Sequence, residues 1–194
     1  MPTGSCCSLK IQQRNALKSN LLAILQELPE PRALVSNLPY YITGPLLTRI
    51  AEARIGFEKA ILMMQKEVAE RVLAGPKTSA RGSLSVYLQS QFEIEKVTNA
   101  PAGAFLPPPK VDSTVLEFRP LPIERTDAFF KLVRLSFTQP RKTMVNNLVS
   151  GYAITRDQAL IILKAATLPD LARPQELTME EWERLERAIP APAK

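Results

Sequence analysis

The stretch Ala33-Leu34-Val35-Ser36-Asn37-Leu38-Pro39-Tyr40 runs from an apolar segment into a turn, and Thr43-Gly44-Pro45 starts a helix just beyond it. A short apolar run bounded by turn residues reads as a buried strand, and proline is tolerated in a first helical turn, where its missing N–H is not needed. The pattern then repeats. Ala60 to Met64 is apolar throughout, as in a strand covered on both faces, and Lys66 to Ala74 reads as a helix ended by Gly75-Pro76. Strand, helix, strand, helix in that order predicts an α/β layer.

Working outward toward the start, Leu21, Leu22, Ile24, Leu25 and Leu28 recur at helical spacing until Pro29 and Pro31. Before them, Ser8 to Leu17 alternates at Leu9 and Ile11 and predicts a short strand. Toward the end, Lys77 to Gly82 is basic and turn-forming, and Leu84, Val86, Tyr87 and Leu88 suit either a helix or a strand. Phe92, Ile94 and Val97 alternate, as do Val111, Ser113, Val115 and Glu117, which predicts two strands flanking Pro101 to Pro109. A proline-rich loop between strands is stiff and can hold a side chain over a cleft.

After Pro120 and Pro122 no strand signal returns. Thr126 can cap a helix through Phe129, Phe130, Leu132, Val133 and Phe137, and Thr155 with Gln158 and Thr178 with Glu181 fit capping boxes. In the last helix Glu180 and Glu181 come early and Arg184 and Arg187 late, matching the helix dipole. The expected organisation is an α/β unit over residues 1–122 followed by a small all-α domain over 123–194.

With 194 residues, 45% of them hydrophobic, the chain can bury a substantial core. No apolar run has membrane-spanning length and Met1 to Lys10 lacks the apolar centre of a signal peptide, so a cytoplasmic protein is expected. The absence of histidine removes Ser-His-Asp, Cys-His and His-based zinc chemistry. Adjacent Cys6 and Cys7, with no third ligand, make neither a disulfide framework nor a zinc site. Lys and Arg outnumber Asp and Glu by 25 to 19, a balance that suits a polyanionic partner or simply a solvated basic surface.

Asn37-Leu38-Pro39-Tyr40 supports two readings. It makes an ordinary turn, because Asn tolerates turn geometry and Pro fixes its own φ. It also suits a pocket for a flat, amine-bearing ring such as adenine. The exocyclic amine of adenine is a poor nucleophile because its lone pair is delocalised into the ring. The Asn37 side-chain oxygen and a backbone carbonyl of the Leu38-Pro39 segment can accept both amine hydrogens and favour the pyramidal form, while Tyr40 stacks on the base.

Several stretches together resemble one family. They are Asn37-Leu38-Pro39-Tyr40, then Met64-Gln65-Lys66-Glu67-Val68 with Arg71 and Ala74-Gly75-Pro76, and Gly82-Ser83-Leu84-Ser85-Val86. Phe105-Leu106-Pro107-Pro108-Pro109-Lys110-Val111-Asp112-Ser113 and Arg141-Lys142-Thr143 with Asn146 and Leu148 follow. In order and spacing, from about Leu9 to Leu185, the chain resembles the S-adenosylmethionine-dependent ribosomal RNA adenine dimethyltransferases. The resemblance implies a Rossmann-like methyltransferase sheet with a helical C-terminal domain. It also implies transfer of two methyl groups to each of two adjacent adenosines near the 3′ end of the small-subunit RNA, by a cytoplasmic monomer. By the family pattern Asn37, Leu38, Pro39 and Tyr40 form the target-base site, Asn37 also lies beside the methyl donor, and Phe105 packs on the other side of a flipped base. On its own, Phe105 reads rather as an aromatic that anchors the proline loop to the core.

Lys110, Arg141 and Lys142 are candidate RNA contacts, against the simpler readings of a strand start and a solvated helix face. Lys66, Glu67 and Arg71 follow a buried strand, but Arg71 stands at i+4 from Glu67 and the pair reads as helix surface. Where the family has Asp to accept a hydrogen bond from the donor's adenine, this chain has Asn15, whose carbonyl oxygen can still accept one. The chain contains no Gly-x-Gly, and its resemblance begins just before the family's fourth strand. Three expectations follow: a shortened piece of an active methyltransferase, an RNA-binding ribosome-assembly factor without methyl transfer, or a poorly folding remnant with an exposed sheet edge.

Overall fold

A computed structural model describes residues 11–190 of the chain. The cysteine pair, the leader reading and the first part of the strand predicted from Ser8 lie outside those residues. Over 11–19 the backbone forms a turn instead of a strand. Asn15 Oδ1 accepts the Leu17 N–H at 3.0 Å, and the Asn15 carbonyl accepts the Lys18 and Ser19 amides at 3.0 and 2.9 Å. A local asparagine acceptor thus outcompetes sheet pairing. Asn20 then caps α1 (Leu21–Gln26) through the Ala23 N–H.

Among the described residues four strands make one sheet: β1 (Ala33–Asn37), β2 (Lys59–Gln65), β3 (Phe92–Ala100) and β4 (Ser113–Pro120). Their spatial order is β1-β2-β4-β3, with β1 parallel to β2 and β4 antiparallel to both of its neighbours. The helix α2 (Thr43–Glu52) forms the crossover from β1 to β2 and buries Leu46, Leu47 and Ile50, as its spacing predicts. On β2, Ala60, Leu62 and Met64 are buried and Ile61 and Met63 half-buried, so the expected two-sided cover is partial.

Two readings of the strands are corrected. Among the described residues β1 is the outer strand of the sheet, with Val35 77% exposed, so the expected burial is not seen. Three consecutive apolar residues look the same whether a strand is central or outermost; only topology decides. On β4 the deeply buried apolar set is Leu116 and Phe118, with Thr114, whereas Val115 and Glu117 are half-buried and Val111 lies exposed before the strand. The opposite phase was expected, because apolar residues occupy both alternations there. The β3–β4 register shifts by one residue between Lys96 and Thr98, so Val97 drops out of the alternation and is exposed.

The ambiguous segment after Gly82 is a helix, α4 (Ser83–Gln89), whose Ser85 hydroxyl accepts the Gly82 N–H at 3.0 Å. It serves the end of α3 (Lys66–Leu73), where the last carbonyls of a helix lack intrahelical donors. Ser85 Oγ donates to the Arg71 carbonyl, Gln89 Nε2 to Val72 and Ala74, and Arg81 Nη1 to Ala74. The Arg71 side chain pairs with Glu67 on the helix surface, as expected. Phe92 stacks on Phe57 and meets Phe118 edge-on, filling the core between sheet and helices.

Beyond the sheet come α5 (Asp127–Ser136), α6 (Met144–Tyr152), α7 (Arg156–Ala165) and α8 (Met179–Ala188). The expected threonine caps are present: Thr126, Thr155 and Thr178 accept the amides of Phe129, Gln158 and Glu181. Thr143 caps α6 in the same way, and α6 ends on Ala153 in the left-handed region. These helices enclose a second apolar core around fully buried Trp182, Phe129, Leu132, Met144 and Leu148. Val86 of α4 belongs to it, the Lys77 N–H donates to the Gln175 carbonyl, and Arg125 Nε donates to the Ser90 carbonyl. The helical unit is therefore packed and hydrogen-bonded to the sheet unit.

Candidate functional site

The parallel pair β1 and β2 ends where antiparallel β4 begins, since Asn37 lies beside Met63 and Gln65 beside Ser113. Loops gather at such carboxyl ends, where open α/β sheets bind ligands. An open cleft of about 350 Å3 is found there, lined by Asn37, Leu38, Pro39, Tyr40, Phe105, Pro107 and Pro109. The structure thus brings together, from two distant stretches, all five residues singled out for the target-base site.

Leu38, Pro39, Tyr40 and Phe105 are each held by a separate device. Leu38 is buried, and its N–H donates to the Met63 carbonyl at 2.9 Å, tying the turn to β2. The Pro39 carbonyl accepts both the Ile42 N–H and the Thr43 hydroxyl at 3.1 Å, which winds the chain into α2. Among the described residues, no such bond engages the Leu38 carbonyl or the exposed Asn37 carboxamide. The structure therefore chooses within the Leu38-Pro39 segment: the Pro39 oxygen is occupied, and the Leu38 oxygen is available.

The Tyr40 hydroxyl lies 2.7 Å from Ser113 Oγ, and Ser113 is fully buried at the start of β4. Phe105 is half-buried, and its N–H returns to the Ala102 carbonyl at 3.2 Å. The Ala102 N–H in turn donates to Asp112 Oδ1 at 2.9 Å, closing the proline loop at its base. Sequence reasoning singled out neither Asp112 nor Ser113 for a role of its own.

Among the described residues, the lining contains no Asp, Glu, Lys or Arg. Its chemistry is that of fixed acceptors and aromatic faces, without a general base. A larger cavity of about 840 Å3 lies among α5 to α8, walled mostly by Leu, Ile and Ala, with Asp127, Lys131 and Glu186 among its lining. There the Tyr152 phenol is pushed above its usual pKa, first by burial and then by Glu186. Size alone would favour that cavity, but none of the residues singled out for the base site lines it; all five line the smaller cleft.

The other predicted residues lie outside the cleft lining. Asn15 is exposed with Oδ1 engaged in its own turn, although a carbonyl oxygen has a second lone pair. Lys110 is exposed on the proline loop, and Arg141 and Lys142 are exposed just before α6. No ion pair among the described residues engages any of the three. Buried Asn147 holds the loop of Arg141 and Lys142 through the Gln139 and Lys142 carbonyls, at 3.3 and 3.4 Å. Asn147 follows Asn146 in the matching stretch but had drawn no attention, because burial is not written in a polar residue's identity. Among the described residues, no group of three or more Cys, Asp or Glu could hold a metal and no helix is long and apolar enough to cross a membrane.

The family described as ribosomal RNA adenine dimethylase matches residues 7–185. Two similar curated proteins are both called ribosomal RNA small subunit methyltransferase A. That of Synechocystis is 38% identical over 183 residues and that of Lactococcus lactis 37% over 182. These matches take in 88% and 89% of the chain but only 64% and 62% of the relatives, so the chain spans less than two thirds of their length. Among solved structures, a dimethyladenosine transferase from Plasmodium falciparum superposes with a TM-score of 0.74, covering 90% of this chain and 70% of its own at 24% identity. The 23S rRNA methyltransferase ErmE gives 0.63, covering 90% and 69% at 26% identity. The architecture is thus the expected one: part of a Rossmann-like methyltransferase sheet followed by helices.

Proposed function

The chain belongs to the ribosomal RNA adenine dimethylase family, and we propose that its cleft takes the adenine of an adenosine in small-subunit ribosomal RNA, whose exocyclic amine is the methyl acceptor. The observation that carries this reading is the pair of unengaged acceptors, the Asn37 carboxamide and the Leu38 carbonyl, in one cleft with Tyr40 and Phe105. Accepting both amine hydrogens localises the lone pair on nitrogen; the Leu38–Met63 bond fixes the backbone acceptor in advance, and β1 fixes the backbone from which the Asn37 carboxamide reaches. Tyr40 and Phe105 supply faces for an unstacked base. Lys110, on the cleft's own loop, and Arg141 and Lys142, whose loop Asn147 holds, meet phosphates in this reading. In this reading residues 1–122 carry the cleft and 123–194 the helical unit, and two adjacent adenosines are the substrate, in the cytoplasm during ribosome biogenesis.

The methyl donor implied is S-adenosylmethionine. The described residues fit it only in part: Asn37 borders the cleft, whereas Asn15 Oδ1 is engaged in its own turn and keeps one further lone pair. Donor sites of this class use a glycine-rich turn for close backbone approach. The engagement of Asn15 Oδ1 in its own turn favours a second reading, in which the chain binds the RNA and assists ribosome assembly without transferring methyl groups.

Calorimetric titration of S-adenosylmethionine, run beside methyl incorporation into small-subunit particles, separates the two. Micromolar binding with incorporation that Asn37→Ala nearly abolishes, while RNA retention persists, supports the first. Full incorporation by Asn37→Ala would remove Asn37 from the reaction. No donor binding by a cooperatively folded chain that retains RNA supports the second.

A further inference from the structure

We propose that the dipeptide Asp112-Ser113 is the positioning element of the cleft, setting both of its aromatic walls from one point at the start of β4. This rests on the base-cleft reading above. Tyr40 and Phe105 come from separate segments, yet each is referred to a neighbouring residue of this pair. Ser113 Oγ meets the Tyr40 hydroxyl at 2.7 Å across 73 positions of sequence. Asp112 Oδ1 accepts the Ala102 N–H at 2.9 Å, and Ala102 accepts the Phe105 N–H at 3.2 Å, so the carboxylate reaches Phe105 through one residue.

The anchor itself is stiff. β4 is paired on both sides, with Ser113 opposite Gln65 of β2 and Ala100 of β3, and the Asp112 carbonyl accepts the Lys66 N–H at 3.0 Å. Ser113 is fully buried, so the hydroxyl pair exchanges little with water. A phenol oxygen lies on its ring's long axis, so this bond fixes the far end of the Tyr40 ring and leaves its face to the base. Asp112 acts differently. Its side chain is exposed, and it closes the loop from Ala102 to Asp112 so that Phe105 is carried at a fixed distance from the sheet. A group that orders a near-attack geometry influences turnover without touching the reacting atoms.

A merely structural role for the pair predicts lost stability with unchanged base stacking, and the test separates the two. The probe is a single-stranded RNA oligomer carrying one 2-aminopurine, whose fluorescence is quenched when the base stacks. Ser113→Ala, Tyr40→Phe and Asp112→Ala should each weaken the quenched complex about fivefold, the equivalent of one ordinary hydrogen bond. The double variant Ser113→Ala with Tyr40→Phe should be no weaker than either single one, because both remove the same bond. Ser113→Thr and Asp112→Asn, which keep the oxygen, should restore binding to within about twofold of the original chain.

Hydrogen exchange supplies a ligand-free readout. Asp112→Ala should speed exchange at the Ala102 amide while amides of Leu62 and Leu116 keep their protection. Unchanged quenching in Ser113→Ala and Asp112→Ala, where Tyr40→Ala abolishes it, would overturn this proposal and leave the cleft reading intact. Equal quenching by the original chain and by Tyr40→Ala with Phe105→Ala would overturn the cleft reading, and the positioning role with it.

Discussion

Arg81→Met tests whether the junction of α3 and α4 is held by a buried charge. Arg81 is 5% exposed, burial lowers its pKa, and Nη1 donates to the Ala74 carbonyl at 2.8 Å and to Gln89 Oε1 at 2.9 Å. No carboxylate among the described residues pairs with it, and Nε is buried without a partner. Two opposing effects must be compared. Hydrogen bonds from a charged donor are worth about 1.5–3 kcal/mol each, whereas a guanidinium out of water carries a penalty of several kcal/mol. On that account alone the substitution is near neutral, since Met preserves the buried stem. What tips it is the acceptors left behind. The Ala74 carbonyl keeps Gln89 Nε2 at 3.1 Å, but Gln89 Oε1 is orphaned, at a cost of about 1–3 kcal/mol. Arg81→Met should therefore lose about 2 kcal/mol, read as a lower urea midpoint at unchanged slope and a melting temperature lower by roughly 4–8 °C. An unchanged or raised midpoint would refute the reasoning, and would mean that the desolvation of Arg81 exceeds everything its bonds return.

Trp182→Ala should lose about 3–5 kcal/mol in the same titration, and Trp182→Phe far less, because the indole N–H has no partner to forfeit. Burial raises the phenols of Tyr87 and Tyr152 above the ordinary tyrosine pKa of about 10, so the unfolded chain releases these protons first. Their contribution is complete below pH 10 and is lost as pH rises from there through the folded values; an alkaline melting series should show this loss, reduced in Tyr87→Phe with Tyr152→Phe. Arg141→Ala and Lys142→Ala should each lower the slope of log affinity for RNA against log salt by about one unit, with no change in melting temperature. An unaltered slope would return both cations to a solvated surface.

The parts of the fold legible in the sequence are those governed by neighbours in the chain. Thr155 with Gln158 and Thr178 with Glu181 announce helix starts because both halves of each box lie within four residues. Thr143 caps α6 in the same manner, but Asn146 stands where a box needs Glu or Gln, and the signal is halved. The exposure of β1, the buried phase of β4 and the bulge beside Val97 depend on which strand pairs with which, and no local pattern contains that. The cleft divides in the same way. Asn37, Leu38 and Tyr40 are adjacent in the chain and can be read together, whereas the choice of the Leu38 over the Pro39 oxygen needed Ile42 and Thr43 in place. The Tyr40–Ser113 contact and the burial of Asn147 belong to tertiary structure alone.

The edge position of β1 turns this strand into a recorder. Backbone groups alternate sides along a strand, and the Leu38 N–H points to β2. The amides of Leu34 and Ser36 therefore point the same way, and those of Ala33, Val35 and Asn37 point outward from the sheet. Amide exchange along these five residues reads as a binary string, slow at even numbers and fast at odd ones. Any neighbouring strand that joins this edge would rewrite the odd positions and leave the even ones untouched, so the arrival of a new sheet neighbour beside Asn37 is reported one residue at a time.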